Sequence, residues 1–266
     1  IVPVFVRKPL FSYNAAIVGF AGIAGLSILV WAHHMYISGW MPMLNGPFMV
    51  TTEMISVPTG LIFLVILGTL WNGKPWLKVP MLAVYAFLWN MLVGGITGLY
   101  LSDVPADMYL HGSMYVTAHF HYTLMGAALT GAVAGLSYWY PKMTGHMLHE
   151  RASYISFWLV QIGFQVLYLG MFIAGAEGQP RRVVDYAEQF ATSNMISTIG
   201  AYTIGIGFII LLWAVIHSWR HGEIAPMNPW GAKTLEWTVP YPVPLVNFDT
   251  PPVVTSDFYG YGRSEK

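Results

Sequence analysis

Two pairs of histidines stand in the most apolar company this chain offers. His33 and His34 are adjacent in Trp31-Ala32-His33-His34-Met35, and His119 and His121 flank one phenylalanine in Ala118-His119-Phe120-His121-Tyr122. Neutral imidazole is a ligand for copper, iron and zinc. Neighbouring residues on a helix lie about 100° apart, so His33 and His34 can turn toward one pocket and supply part of a three-ligand site. Residues two apart lie about 200° apart, so His119 and His121 point to nearly opposite faces and suit two different metals. Haem iron takes an axial histidine, and a helix with a haem on each face keeps the two near enough for electron transfer. Against each reading stands a plainer one, buried histidines that hydrogen-bond their neighbours. The chain has no cysteine, which removes thiolate ligands, disulfides and a cysteine nucleophile, and leaves nine histidines as the main metal-binding inventory.

Membrane helices must position these residues. Of 266 residues 56% are hydrophobic and 9% charged, against roughly 25% charged in an ordinary soluble domain. A spanning helix needs about 20 largely apolar residues. Such stretches run over 15–40, 48–70, 79–101, 113–140, 153–175 and 192–218, which predicts an all-α polytopic membrane bundle of about six transmembrane helices. Breaks are expected at Asn45-Gly46-Pro47, Asn72-Gly73-Lys74-Pro75, Pro105-Ala106-Asp107, Pro141-Lys142 and Gly178-Gln179-Pro180. A soluble helical core does not hold six such stretches in series. The bundle is expected to occupy 1–220, and 221–266, rich in Pro and Trp, to form a tail on the cytoplasmic side rather than a domain.

Charge then orients the bundle. Arg7, Lys8, Lys74, Lys78, Lys142, Arg151, Arg220, Lys233, Arg263 and Lys266 fall on one side of the six-span arrangement, and only Arg181 and Arg182 on the other. That asymmetry places both ends of the chain on the cytoplasmic or matrix side. With a formal net charge of zero and no basic patch, nothing points to a nucleic-acid partner. No cleavable signal stands at the front, and the chain starts at Ile1, as a processed chain or a piece of a longer polypeptide would.

Ionisable residues inside a bilayer are costly, which makes each a functional candidate. Besides the four histidines there is one, Glu53. His146, His149, His217 and His221 fall at the cytoplasmic ends and read as solvated. Arg181 and Arg182 share the outward side with the histidine pairs, where paired guanidiniums can clamp carboxylates such as haem propionates. A solvated pair is the simpler account. Asp107 and His111, in the loop leading into the fourth span, face the same region and can add polar contacts.

The chain resembles the C-terminal half of subunit I of the haem–copper oxidases, the cytochrome c and quinol oxidases. The resemblance runs in family order through Trp31-Ala-His-His-Met35, Val57-Pro-Thr-Gly60, Leu110-His111, Ala118-His-Phe-His-Tyr122, Tyr138-Trp-Tyr-Pro-Lys-Met-Thr-Gly145, Gln179-Pro-Arg-Arg182 with Asp185-Tyr186, and Asn228-Pro-Trp-Gly-Ala-Lys-Thr-Leu-Glu-Trp237. It implies that His33 and His34 are copper ligands, His119 the proximal ligand of a high-spin haem and His121 an axial ligand of a low-spin haem. It further implies that Arg181 and Arg182 bind haem propionates with Asp107 nearby. His111 matches a ligand of an outer magnesium (or manganese) site, but the acidic residue expected next is Gly112, which puts that site in question. The lysine that carries a proton channel in the best-known branch is missing as well. Its place, shortly after Pro58-Thr59-Gly60, is taken by Leu61-Ile62. Thr59 is kept, and Glu53, about two and a half turns before the missing lysine, is the candidate replacement, with a carboxyl hydrogen-bonded at the outer helix edge as the alternative.

The family's subunit I has about twelve spans, so six make half of it. The resemblance assigns the third copper histidine, its cross-linked tyrosine, the second ligand of the low-spin haem and another proton channel to the missing N-terminal half. The expected partners are therefore that half of subunit I, a subunit II, membrane lipid, and cytochrome c or quinol as electron donor. The expected setting is a bacterial or archaeal cell membrane or the mitochondrial inner membrane. The implied reaction is proton-translocating reduction of O2 to water. Two alternatives stay open: a nitric oxide reductase of the same fold with iron in place of copper, and a non-catalytic structural or assembly half-subunit.

Overall fold

The computed structural model describes residues 1–40 and 42–253, and among these it forms helices and no named strand. Arg263 and Lys266, two of the basic residues used for orientation, lie outside the described residues, as does the tail from 254 onward. The elements are α1 (Val2–Val6), α2 (Tyr13–Val30), α3 (Asn45–Met54), α4 (Ser56–Leu70), α5 (Val79–Ser102), α6 (Val104–Leu110), α7 (Met114–His121), α8 (Thr130–Thr144), α9 (Glu150–Ala176) and α10 (Ala191–His221). Among the described residues five helical runs are long and apolar enough to cross a membrane: Tyr13–Met35, Pro42–Leu70, Val79–Ser102, Glu150–Ala176 and Glu188–His221. The sixth expected span is also helical throughout, but not as one α-helix. A π-helical segment, Tyr122–Leu129, joins α7 to α8. The chain is thus an integral membrane helical bundle.

Proline is a weaker breaker here than the sequence suggested. Asn45-Gly46-Pro47 was expected to be a break, yet these three residues form the first turn of α3. Pro105 likewise sits in the first turn of α6, so an expected break is a short helix. In a first turn the missing N–H has no helical acceptor to lose. Pro141 is the clearest departure, because α8 continues through it to Thr144 and stops only at Gly145, whose φ of 73° is left-handed. The first span ends sooner than expected. After Val30 the helix tightens into a 3-10 turn over Trp31–Met35, which carries His33 and His34.

Helix contacts in lipid rest on close packing rather than on expulsion of water, so small residues mark them. α9 and α10 meet through such a seam. A Cβ added at Gly200 would lie 2.4 Å from Leu167 N, and one at Gly163 would lie 2.9 Å from Gly200 O. α7 crosses α9 just as tightly, since a Cβ at Gly175 would fall 1.9 Å from Tyr115 N. Large apolar side chains such as Ile28, Val57, Leu64, Ile96, Ile209 and Leu212 are exposed, as suits lipid-facing helix surfaces.

The two ends of the bundle differ in kind. At one end the tail is strapped across the helices: Trp230 and Trp237 are buried against Phe5, Met81 and Tyr138. Trp230 Nε1 donates to Tyr138 O (2.8 Å), and Trp237 Nε1 donates to Tyr138 Oη (2.9 Å). Arg7 donates to Gly231 O, Lys142 to Val239 O, and Lys78 pairs with Glu150, so basic residues collect here. At the other end lie Asp107, His111 and the loop bearing Arg181. Substituting Gly200 by alanine forces α9 and α10 apart, and overpacking of this kind costs about 1–3 kcal/mol. The expected outcome is a lower thermal midpoint in detergent, read by helical circular dichroism.

Candidate functional site

Three of the four intramembrane histidines are aimed by a hydrogen bond at Nδ1. Thr97 Oγ1 donates to Val93 O one turn back (2.8 Å), which leaves its lone pair to accept from His119 Nδ1 at 3.1 Å. Thr52 behaves the same way: its hydroxyl donates to Phe48 O (2.6 Å) and stands 3.3 Å from His33 Nδ1. His121 Nδ1 donates to the carbonyl of Thr117, one turn earlier on its own helix, at 2.7 Å. In all three the proton is thereby assigned to Nδ1 and the Nε2 lone pair is left as the coordinating atom.

The rings point where ligands would be useful. His119, on α7, packs against α5, its Cε1 only 2.8 Å from where a Cβ at Gly98 would sit, so that glycine makes room for the ring. His121 faces the other way and stacks on Tyr168 of α9, centroids 4.8 Å apart and planes 23° apart. Phe120 stacks on it from the other side at 4.4 Å. One helix therefore presents two imidazoles to two different neighbours. The phase is the one that a spacing of two residues dictates.

His33 and His34 converge. On a 3-10 turn adjacent side chains are about 120° apart, not the roughly 100° of an α-helix, at 3.0 residues per turn. Even so the two Nε2 atoms lie 3.0 Å apart. Two nitrogens each bound at about 2.0–2.1 Å to one ion, at a right angle, would be about 2.9 Å apart, so the pair is spaced to share an ion. Among the described residues no three His, Cys, Asp or Glu side chains form a metal-binding group. His33 and His34 are two converging imidazoles, and His34 is exposed on the bundle surface.

The outer end is built around one clip. Gln179 and Asn194 exchange amide hydrogen bonds (2.8 and 3.3 Å), with Gln179 buried. Met114 N donates to Gln179 O and Arg181 N to Gly112 O, both at 2.9 Å, so Gly178–Arg182 runs beside the start of α7. Arg181 is half-buried and Arg182 exposed, the latter at a left-handed φ of 65°. Gly112 has a φ of 75°, where a side chain is strained and glycine is not. His111 Nδ1 donates to the buried carboxylate Oδ2 of Asp107 at 2.9 Å. Burial pushes the Asp107 carboxyl up, while the His111 hydrogen bond and charge and the nearby His34 pull it back. Magnesium favours oxygen ligands in octahedral array. Here one imidazole and one already-engaged carboxylate face each other, and this pair fits such an ion poorly.

Glu53 is exposed and follows Thr52 directly, which places it at the level of His33 rather than deeper in the bundle. Thr59 lies past a turn at Ile55, its hydroxyl donating to Ile55 O at 2.8 Å. His149, His217 and His221, read as merely solvated, in fact cluster: neighbouring ring centroids are 5.7 and 5.5 Å apart. Thr52, Thr97 and Asn194 carried no sequence expectation, and Gln179 entered only as part of a motif and a break. The threonines sit one helix away from the rings they serve, although a hydroxyl among apolar residues was a visible signal.

Comparison with known proteins identifies the family. The family model for cytochrome c and quinol oxidase polypeptide I matches residues 1–203. The chain is 40% identical over 262 residues to cytochrome c oxidase subunit 1 of Thermostichus vulcanus, covering 98% of this chain and 48% of that protein. To the subunit 1 of Corynebacterium diphtheriae it is 41% identical over 261 residues, with 97% and 46% covered. The chain spans about half the length of the curated relatives it matches. A haem–copper terminal oxidase dimer solved by cryo-EM superposes with a TM-score of 0.77 at 20% identity, over 85% of this chain and 45% of that one, a likeness of fold.

Thr97→Val removes the acceptor that holds His119 Nδ1. Loss of such a partner weakens binding at the other ring nitrogen roughly 10–100-fold. The expected result is faster haem loss to an apo-globin acceptor, read as a change in the Soret band.

Proposed function

This chain belongs to the cytochrome c and quinol oxidase polypeptide I family, and we propose that it is half of the catalytic subunit of a terminal respiratory oxidase. The observation that carries the proposal is the joint geometry of the four histidines: a converging Nε2 pair on one helix end and two diverging imidazoles on another. The reaction is reduction of O2 to water, with electrons from cytochrome c or quinol and proton translocation across the membrane.

His33 and His34 would hold the copper, His119 the high-spin haem and His121 the low-spin haem. When bound, these groups supply redox chemistry and a place for O2, while the protein supplies ligation, orientation and electrostatics. Thr52 and Thr97 keep two of the rings in one tautomer and one rotamer. Gly98 leaves room on α5 for the Cε1 edge of the His119 ring. Arg181, Arg182 and Asp107 stand at the outer end, where two guanidiniums can receive haem carboxylates. Glu53, next in the chain to Thr52, would deliver protons toward the copper pair in place of the channel lysine, with Thr59 further along the same span.

The copper pair has two histidines from this chain, so a companion must complete it. That partner is the N-terminal half of subunit I, as a separate chain or as the rest of a longer one, and a subunit II would receive the donor's electrons. Purification in mild detergent with that companion tests the reading. Haem absorbance, copper and O2 consumption in one complex support it. Non-haem iron without copper would make the complex a nitric oxide reductase, and a complex without haem absorbance would make the chain a structural half-subunit. Within an active complex, His34→Ala should abolish copper retention by metal analysis and leave the haem spectrum in place. Glu53→Gln should slow turnover by about a hundredfold, the lower range for a lost proton-transfer group, with unchanged spectra. Turnover and proton uptake at the original rate would remove Glu53 from the proton path.

A further inference from the structure

Directly behind the two haem-side histidines the helix is wound wrongly for an α-helix. α7 ends at His121, and Tyr122–Leu129 is π-helical before α8 begins. A π-helix bonds each N–H to the carbonyl five residues back, so it holds more residues in a turn than an α-helix. Such a segment is rare, and inside a bilayer any carbonyl it leaves unpaired is costly.

One buried side chain adds a hydrogen bond to a carbonyl of this segment. Asn90 of α5 is fully buried, and its Nδ2 donates to Gly126 O in the middle of the π segment at 2.9 Å. Its orientation follows from its other partners. Asn90 Oδ1 accepts from Gln165 Nε2 at 2.8 Å and from Gln161 Nε2 at 3.1 Å, both on α9. Gln165 Oε1 in turn accepts from Tyr122 Oη at 2.7 Å, at the first residue of the π segment, and from Trp89 Nε1 at 3.2 Å. The approach is close: a Cβ at Gly126 would lie 2.9 Å from Asn90 Cβ and 2.7 Å from Phe164 Cζ. This amide cluster joins three helices at the one place where the backbone leaves α-geometry.

Both sides of the segment are pinned. α7 is fixed where it crosses Gly175, and α8 where Tyr138 meets Trp230 and Trp237. If the π segment reverted to an α-helix, one residue too many would remain between those anchors. One side would have to turn by about 100°. That rotation would take His119 away from Thr97 and His121 away from Tyr168, or Tyr138 away from the tryptophans.

We propose that Asn90 is a positioning residue for the haem ligands, holding the π segment by its bond to Gly126 O so that His119 and His121 keep their phase. The proposal rests on the haem-ligand reading of these two histidines. It assigns a role to a residue whose hydrogen bonds go to Gly126, Gln161 and Gln165 and to neither histidine, acting through backbone register alone.

The test uses the complex with its companion half and reads the low-spin haem spectrum of solubilised membranes. The original chain must show that signal; its absence there would defeat the ligand reading and not the positioning role. Asn90→Leu should lose the low-spin signal. Combining Asn90→Leu with deletion of Ala128 should restore it, because with one residue fewer an α-helix spans the same anchors in phase and no carbonyl needs Asn90. An unchanged signal in Asn90→Leu overturns the proposal. Should that variant fail to assemble, the double variant decides by itself: assembly with the low-spin signal supports the proposal, and failure overturns it.

Discussion

An imidazole can give one ring nitrogen to an ion reliably only when its other nitrogen is already committed. Three of the four intramembrane histidines meet this condition with acceptors at 2.7 to 3.3 Å, two of them threonine hydroxyls and one a backbone carbonyl. The threonines can serve as acceptors because their own protons are given to carbonyls one turn back. A hydroxyl that would otherwise be a burden in lipid thus spends its donor locally and turns a lone pair to the ring. The rest of the bundle is arranged so that these bonds can form. α5 must bring Thr97 and Gly98 under His119, and α3 must bring Thr52 beside His33.

Much of this was legible in the sequence. Hydropathy alone located six spans, since an apolar run of that length has few other uses. The opposed directions of His119 and His121 followed from their spacing. The proline signals misled because Pro47 and Pro105 fall in first turns, where a helix has no N–H bond to lose. Pro141 misled for another reason, as α8 carries straight through it and ends at Gly145.

What stayed hidden was mostly contact between helices. Thr97 lies 22 residues from His119, and Thr52 lies 19 from His33, so no local pattern links either pair. The 3-10 turn under His33 and His34 and the π segment behind His121 are departures from 3.6 residues per turn, which periodicity assumes from the outset. Asn90, Gln161 and Gln165 were visible as amides within apolar runs. Attention to ionisable groups passed over them, although an uncharged amide in hydrocarbon needs partners nearly as badly.

The strap that closes the basic end of the bundle also sets a clock. Arg7 is bound to Gly231, 224 residues later in the chain. At about 5–20 residues per second, a ribosome needs roughly 10–45 s to make that stretch. Through that interval the helix at Val2–Val6 and the ring of Phe5 have no Trp230 to cover them. That apolar surface is thus covered late, and a nascent chain must shelter it, by lipid or by insertion machinery, until Trp230 arrives.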